Sequence, residues 1–170
     1  MLKVASGRVW KFGDNVSTDL MMPGQTLHGK VPKDEMHKYC MIAIRPEFPK
    51  EVKPGDIVVG GKNFGCGSSR PAPDNFAALK IGCVLASSFA AIFYRNAISI
   101  GLPVIELPGV DGLFQDGDQG EVDFTNGRVT NLTSSMSMSF PPYPDEIVRI
   151  IEAGGMLAVL RQEYLKEGRK

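Results

Sequence analysis

The sequence predicts an α/β domain with a parallel sheet, and three observations predict it. The β-branched run Ile57-Val58-Val59 leads through a glycine-rich stretch into Phe76-Ala77-Ala78-Leu79, which reads as strand, turn and helix. Val84-Leu85-Ala86-Ser87-Ser88, Phe89 to Ile98, and Pro103-Val104-Ile105-Glu106-Leu107 then read as strand, helix and strand, the βαβ order of a parallel sheet. The C-terminal third changes character, with two alternating strands around Asn126-Gly127 that signal a type I′ hairpin.

The elements follow in order. Gly7 to Phe12 alternates apolar and polar residues as a first strand, stopped by Gly13-Asp14-Asn15. Asp14 to Asp19 is a dense polar loop; its spacing does not match a calcium loop, so its side chains are expected to bond local backbone. Pro32 to Tyr39 is a short helix with Asp34 and Glu35 in its first turn. Pro46 to Lys50 is a proline-bounded connection, and Lys53-Pro54-Gly55-Asp56 turns the chain into the second strand. Asp74 is placed to cap the helix after the glycine-rich stretch. Pro144 to Ile151 is a helix ended by Gly154-Gly155, and apolar periodicity returns from Met156 to Leu165.

A chain of 170 residues, 43% apolar and 22% charged, is long enough for a real core, so residues 1–170 read as one domain. Nineteen basic residues balance nineteen acidic ones, which gives no reason to expect nucleic acid or an anionic membrane as partner. No stretch approaches the ~20 apolar residues of a membrane span. Met1 to Gly7 carries no long apolar segment of the secretory kind, and a cytoplasmic location is expected.

Gly60 to Arg70 reads Gly-Gly-Lys-Asn-Phe-Gly-Cys-Gly-Ser-Ser-Arg. Between a strand and a helix, such a run forms a nest of backbone N–H groups suited to an anion. An ordinary tight connection would also use glycines. Two hydroxyls, a thiol and a guanidinium within five residues favour a functional loop instead, with Ser68, Ser69 and Arg70 at its rim. Cys40 and Cys83 lie in apolar runs and read as buried small hydrophobes, so only Cys66 is chemically suggestive. Three scattered cysteines and two histidines, His28 and His37, make neither a disulfide framework nor a metal cluster.

Gly13-Asp14-Asn15 with Thr18-Asp19, then Asn63 to Arg70, then Ser88-Phe89-Ala90 through Pro103, resemble the small subunit of isopropylmalate dehydratase. That family is the separate-chain form of the aconitase swivelling domain. The three motifs run in the family's order over more than half of the chain. The resemblance implies a swivelling β/β/α domain with a mostly parallel inner sheet, as in the C-terminal domain of aconitase. It implies a hetero-oligomer with a large subunit that carries a 4Fe–4S cluster, no cofactor on this chain, and a role in leucine biosynthesis. The implied reaction is dehydration and rehydration of a substituted malate, a small dicarboxylate, with the partner's open iron as Lewis acid on the leaving hydroxyl. Ser68 maps to the base, Arg70 to the carboxylate-binding arginine, and Ser69 to its hydrogen-bonding neighbour.

Two departures mark this chain. Relatives continue Ser-Ser-Arg-Glu-His-Ala-Pro, whereas here Arg70 is followed by Pro71-Ala72-Pro73-Asp74-Asn75. Residues before proline avoid the α region, so Arg70 and Ala72 are expected to be extended and the helix to start late. Where relatives read Arg-Tyr-Leu and select the substrate's side chain, this chain carries Gln25, Thr26, Leu27 and His28. These four residues are therefore expected to bind substrate, and homocitrate, dimethylmalate or another substituted malate stays open, with homoaconitase or dimethylmalate dehydratase as the corresponding enzyme types. Two other readings are a stand-alone enzyme with Cys66 as nucleophile and His28 or His37 as base, and a non-catalytic anion-binding module.

Overall fold

The computed structural model of the chain describes residues 4–67 and 70–167. Strands β1 (Val4–Lys11), β2 (Ile57–Gly60), β3 (Cys83–Ala86) and β4 (Val104–Glu106) pair in parallel. β5 (Gln119–Asp123), β6 (Arg128–Asn131) and β7 (Met136–Ser139) continue the same sheet antiparallel, giving the order β4-β3-β2-β1-β5-β6-β7.

The central strands are short and apolar because both of their faces are covered. Trp10, Val58, Val84 and Val104 point into one cluster with Phe48, Phe64, Phe76 and Phe93. Their neighbours Val9, Ile57, Val59, Cys83, Leu85 and Ile105 point into a second cluster with Val122, Phe124, Val129 and Phe140. Residues of β5 and β6 thus pack across the parallel strands, so the sheet curls over itself. Helices cover the first face, and the antiparallel arm with the short Val110–Leu113 helix covers the second, a β/β/α layering.

Seven α-helices appear among the described residues: α1 (Thr18–Met21), α2 (Phe48–Glu51), α3 (Pro73–Ala78), α4 (Ala91–Ser99), α5 (Val110–Leu113), α6 (Asp145–Ala153) and α7 (Met156–Glu167). Residues 33–39 form a 3₁₀ helix behind Pro32. Gly154, at φ 80°, ends α6 in the left-handed cap that favours glycine.

Several local expectations are corrected. Asp74 is not a cap: α3 starts at Pro73 behind Ala72, with no side-chain cap, and Asp74 sits in its first turn. Ala72 is right-handed helical, at φ −61° and ψ −35°, although proline follows it. The β5–β6 connection is not a two-residue type I′ turn. Asp123 pairs with Arg128, and the Asp123 carboxylate accepts from the amides of Thr125 (3.0 Å) and Asn126 (2.9 Å), which closes a four-residue loop.

Candidate active site

The carboxyl ends of the parallel strands are where ligands sit in open α/β sheets. Here the ends of β1, β2 and β3 run into three turns that hydrogen-bond to one another. From the β1 turn, Asp14 Oδ1 accepts from Lys62 N (2.7 Å), Asn15 N donates to Lys62 O (2.8 Å), and Asn15 Oδ1 accepts from Asn63 Nδ2 (2.9 Å). From the β3 turn, Ser88 Oγ accepts from Asn63 N (2.8 Å) and Ser88 O from Phe64 N (2.9 Å). Gly65 N donates to Val16 O (2.8 Å), and Thr18 N to Cys66 O (2.8 Å). The glycine-rich loop is therefore pinned on both flanks.

Its floor is aromatic. Phe64 is fully buried and packs edge-on against Phe93 (5.6 Å) and Phe89 (6.0 Å). Gly65, at φ 79°, lies directly on Phe93, and a Cβ there would fall 2.2 Å from the ring's Cγ. Gly67, at φ 102°, lets the loop pass Ser17, whose Oγ would stand 3.0 Å from a Cβ. Ser17 in turn caps α1 by accepting from Asp19 N (3.0 Å), the local backbone bonding expected of this polar stretch.

Arg70 leaves the loop toward α1. Its Nη1 donates to Met22 O (2.8 Å) and its Nε lies 3.2 Å from Asp19 Oδ1. The guanidinium passes over Gly24, where a Cβ would be 3.8 Å from each Nη. Asp19 is the partner that sequence reasoning missed, since it read the Asp14–Asp19 stretch as bonding backbone. Ser68 and Ser69 lie outside the described residues.

The four selectivity candidates follow Arg70's contact with the Met22–Gly24 turn. Gln25 and His28 are exposed and Leu27 is half-buried, while Thr26 is buried with its hydroxyl on Pro23 O (2.7 Å). Beside them lies a cavity of about 650 Å³ with a mainly apolar wall of Met22, Leu27, Met36, Pro71 and Ala78. Lys33 and Asp74 face each other at its rim, 4.0 Å apart.

The cysteines do not gather. Burial pushes the Cys40 and Cys83 thiols far up, and both belong to hydrophobic clusters, one on each face of the sheet. Cys66 is half-buried and engaged through its carbonyl. Among the described residues no group of three or more His, Cys, Asp or Glu is placed to hold a metal ion. His37, half-buried on the 3₁₀ helix, hides an Nδ1 for which the described residues supply no partner. No helix among the described residues is long and apolar enough to cross a membrane.

Comparison with known proteins bears on this arrangement. The Aconitase C-terminal domain model matches residues 12–109, the span that holds all three turns and Arg70. The chain belongs to the aconitase-type family of 3-isopropylmalate dehydratase small subunits. It is 46% identical over 164 residues to the isopropylmalate/citramalate isomerase small subunit of Methanocaldococcus jannaschii, covering 96% of this chain and 97% of that one. It is 47% identical to 3-isopropylmalate dehydratase small subunit 1 of Methanopyrus kandleri, covering 96% of each. A crystal structure of 3-isopropylmalate dehydratase from M. jannaschii superposes with a TM-score of 0.89 at 36% identity, covering 98% of both chains. The name small subunit implies a large-subunit partner, and the hydro-lyase works as the complex of the two.

Proposed function

We propose that this chain is the small subunit of a hydro-lyase of the isopropylmalate dehydratase type, isomerising a substituted malate by dehydration and rehydration in leucine biosynthesis. It works as one swivelling domain, in the cytoplasm, against a large subunit that holds the 4Fe–4S cluster. The observation that carries the reading is Arg70, aimed by Asp19 and Met22 beside a pinned glycine-rich loop, in a chain whose relatives bear that enzyme's name.

A guanidinium meets a carboxylate bidentately, so Arg70 fixes the substrate carboxylate and with it the neighbouring carbon. Ser68 takes the proton from that carbon. A serine is a poor base unless its alkoxide is stabilised, and the backbone N–H groups of a glycine-rich nest supply that stabilisation. Ser69 completes the hydrogen bonding around the carboxylate. Gln25, Leu27 and His28 face the substrate's variable branch, with Thr26 holding their turn, and the apolar cavity beside Leu27 suits an alkyl group. One relative is named for both isopropylmalate and citramalate, so a methyl branch is the second to test.

Co-expression with a large subunit, followed by assay of the interconversion of 2- and 3-isopropylmalate, tests the proposal. Turnover is expected only when both chains are present. A complex inactive on every substituted malate, or turnover by this chain alone, overturns it.

A further inference from the structure

Helix α7 carries its apolar side chains on the wrong face for a helix at the edge of a single molecule. It packs on α6 through buried Val159, and Glu163 on the same side pairs with Arg149 of α6. Leu157, Leu160, Arg161, Tyr164 and Leu165 follow the i, i+3, i+4, i+7, i+8 spacing of one helical face, which is the opposite one. Leu157 is 71% exposed, Leu160 51%, Tyr164 77% and Leu165 64%, with Met156 at 40% beside them.

We infer that this face is a self-association surface on which two copies of the chain pair isologously, α7 against α7. Five such side chains leave on the order of 500 Å² of apolar surface open, large for a monomer's single patch. Two copies together would bury about 1,000 Å², the lower bound for a specific interface, so the dimer is weak. Net charge does not oppose the pairing. The chain's formal net charge is zero, so copies do not repel at long range. Arg161 is the stripe's one charge, and its stem lies among the leucines. A stripe centred between Leu160 and Arg161 is self-complementary under a two-fold axis there. That axis brings the two Arg161 side chains together, so each guanidinium has to turn outward, where the other copy's Tyr164 ring, one turn along, offers a cation–π contact.

Sedimentation velocity of the isolated full chain across the micromolar range tests this. The wild type is expected to pass from monomer to dimer, and Leu160→Glu and Tyr164→Ala to stay monomeric with unchanged circular dichroism and melting. Ile44→Glu, which replaces an exposed apolar residue outside α7, should leave the dimer intact. A wild type that is monomeric throughout overturns the inference, as does a dimer that survives Leu160→Glu. If the wild type is monomeric and Leu160→Glu instead releases the chain from its large subunit, the face belongs to that partner and self-pairing is overturned.

Discussion

Asp19 Oδ1 stands 3.2 Å from the Nε of Arg70, and the two side chains differ in exposure, at 59% and 24%. An ion pair this open contributes roughly 0–1 kcal/mol to folding, so its consequence is orientation rather than stability. With Met22 O on Nη1, it sets the direction of the guanidinium, and in the proposed mechanism the fork's other donors take the substrate carboxylate. Asp19→Ala should therefore leave the melting temperature nearly unchanged and raise KM several-fold in the assembled enzyme. Steady-state kinetics with a thermal melt checks this; a large loss of stability with unchanged KM would make the pair structural.

The loop's shape depends on Gly65. Its φ of 79° and its contact with Phe93 mean that a methyl group meets both backbone strain and a ring. Gly65→Ala is expected to cost at least ~1–3 kcal/mol and to depress turnover more than binding of the large subunit. Chemical denaturation and a pull-down measure the two effects, and a variant of normal stability and activity would contradict the pinned-loop picture.

Much of this was legible in the sequence, and the reasons differ by element. The strands β2, β3 and β4 are apolar runs bounded by turns, so their positions follow from pattern alone. Helices α1, α2 and α5 have four residues each, about one turn, which is too short for a 3.6-residue period to register. Strand β7, Met136–Ser139, is mostly exposed and takes its conformation from pairing with β6 rather than from burial. Asn126-Gly127 misled because the Asp123 carboxylate captures two amides of the loop and sets a wider turn. Within the site, the glycine-rich loop announced itself by residue types. The Asp19–Arg70 contact did not, since it arises only when the β1 and β2 turns meet.

A second group of charges acts on stability through pH. Arg45 lies over Trp10 (5.2 Å) and donates from Nη2 to Asp116 (3.2 Å) and from Nε to Glu47 (2.6 Å). Burial pushes the Asp116 carboxyl up, but the Lys11 amide and the Arg45 guanidinium outweigh it and hold the group below the usual carboxylate range. A folded-state pKa below the unfolded one gives stability that is fully present above the unfolded value, near 4. That stability is lost as pH falls through the lowered folded value. Asp116→Asn should therefore lower unfolding free energy at neutral pH by up to about 1 kcal/mol and flatten its decline in acid. Urea titrations from neutral pH into that acid range test it, and a constant difference from wild type at every pH would contradict the assignment.

Substrate choice is expected to reside in Gln25 to His28. Replacing this stretch by an Arg-Tyr-Leu-type sequence should change the ratio of kcat/KM between isopropyl- and methyl-substituted malates, because discrimination is a ratio of transition-state affinities. Equal losses on both substrates would show that the segment only supports the fold.

The most direct test of the account is turnover by Ser68→Ala in the complex with the large subunit, with Arg70→Lys measured beside it. Ser68→Ala removes the proton acceptor and keeps the carboxylate contacts. The account predicts a fall in kcat of roughly 10²–10⁴-fold or more with little change in KM. Arg70→Lys keeps the charge and loses the bidentate fork, so KM should rise as kcat falls. Near wild-type turnover by Ser68→Ala would remove this serine from the chemistry and return Cys66 to consideration as the loop's reactive group.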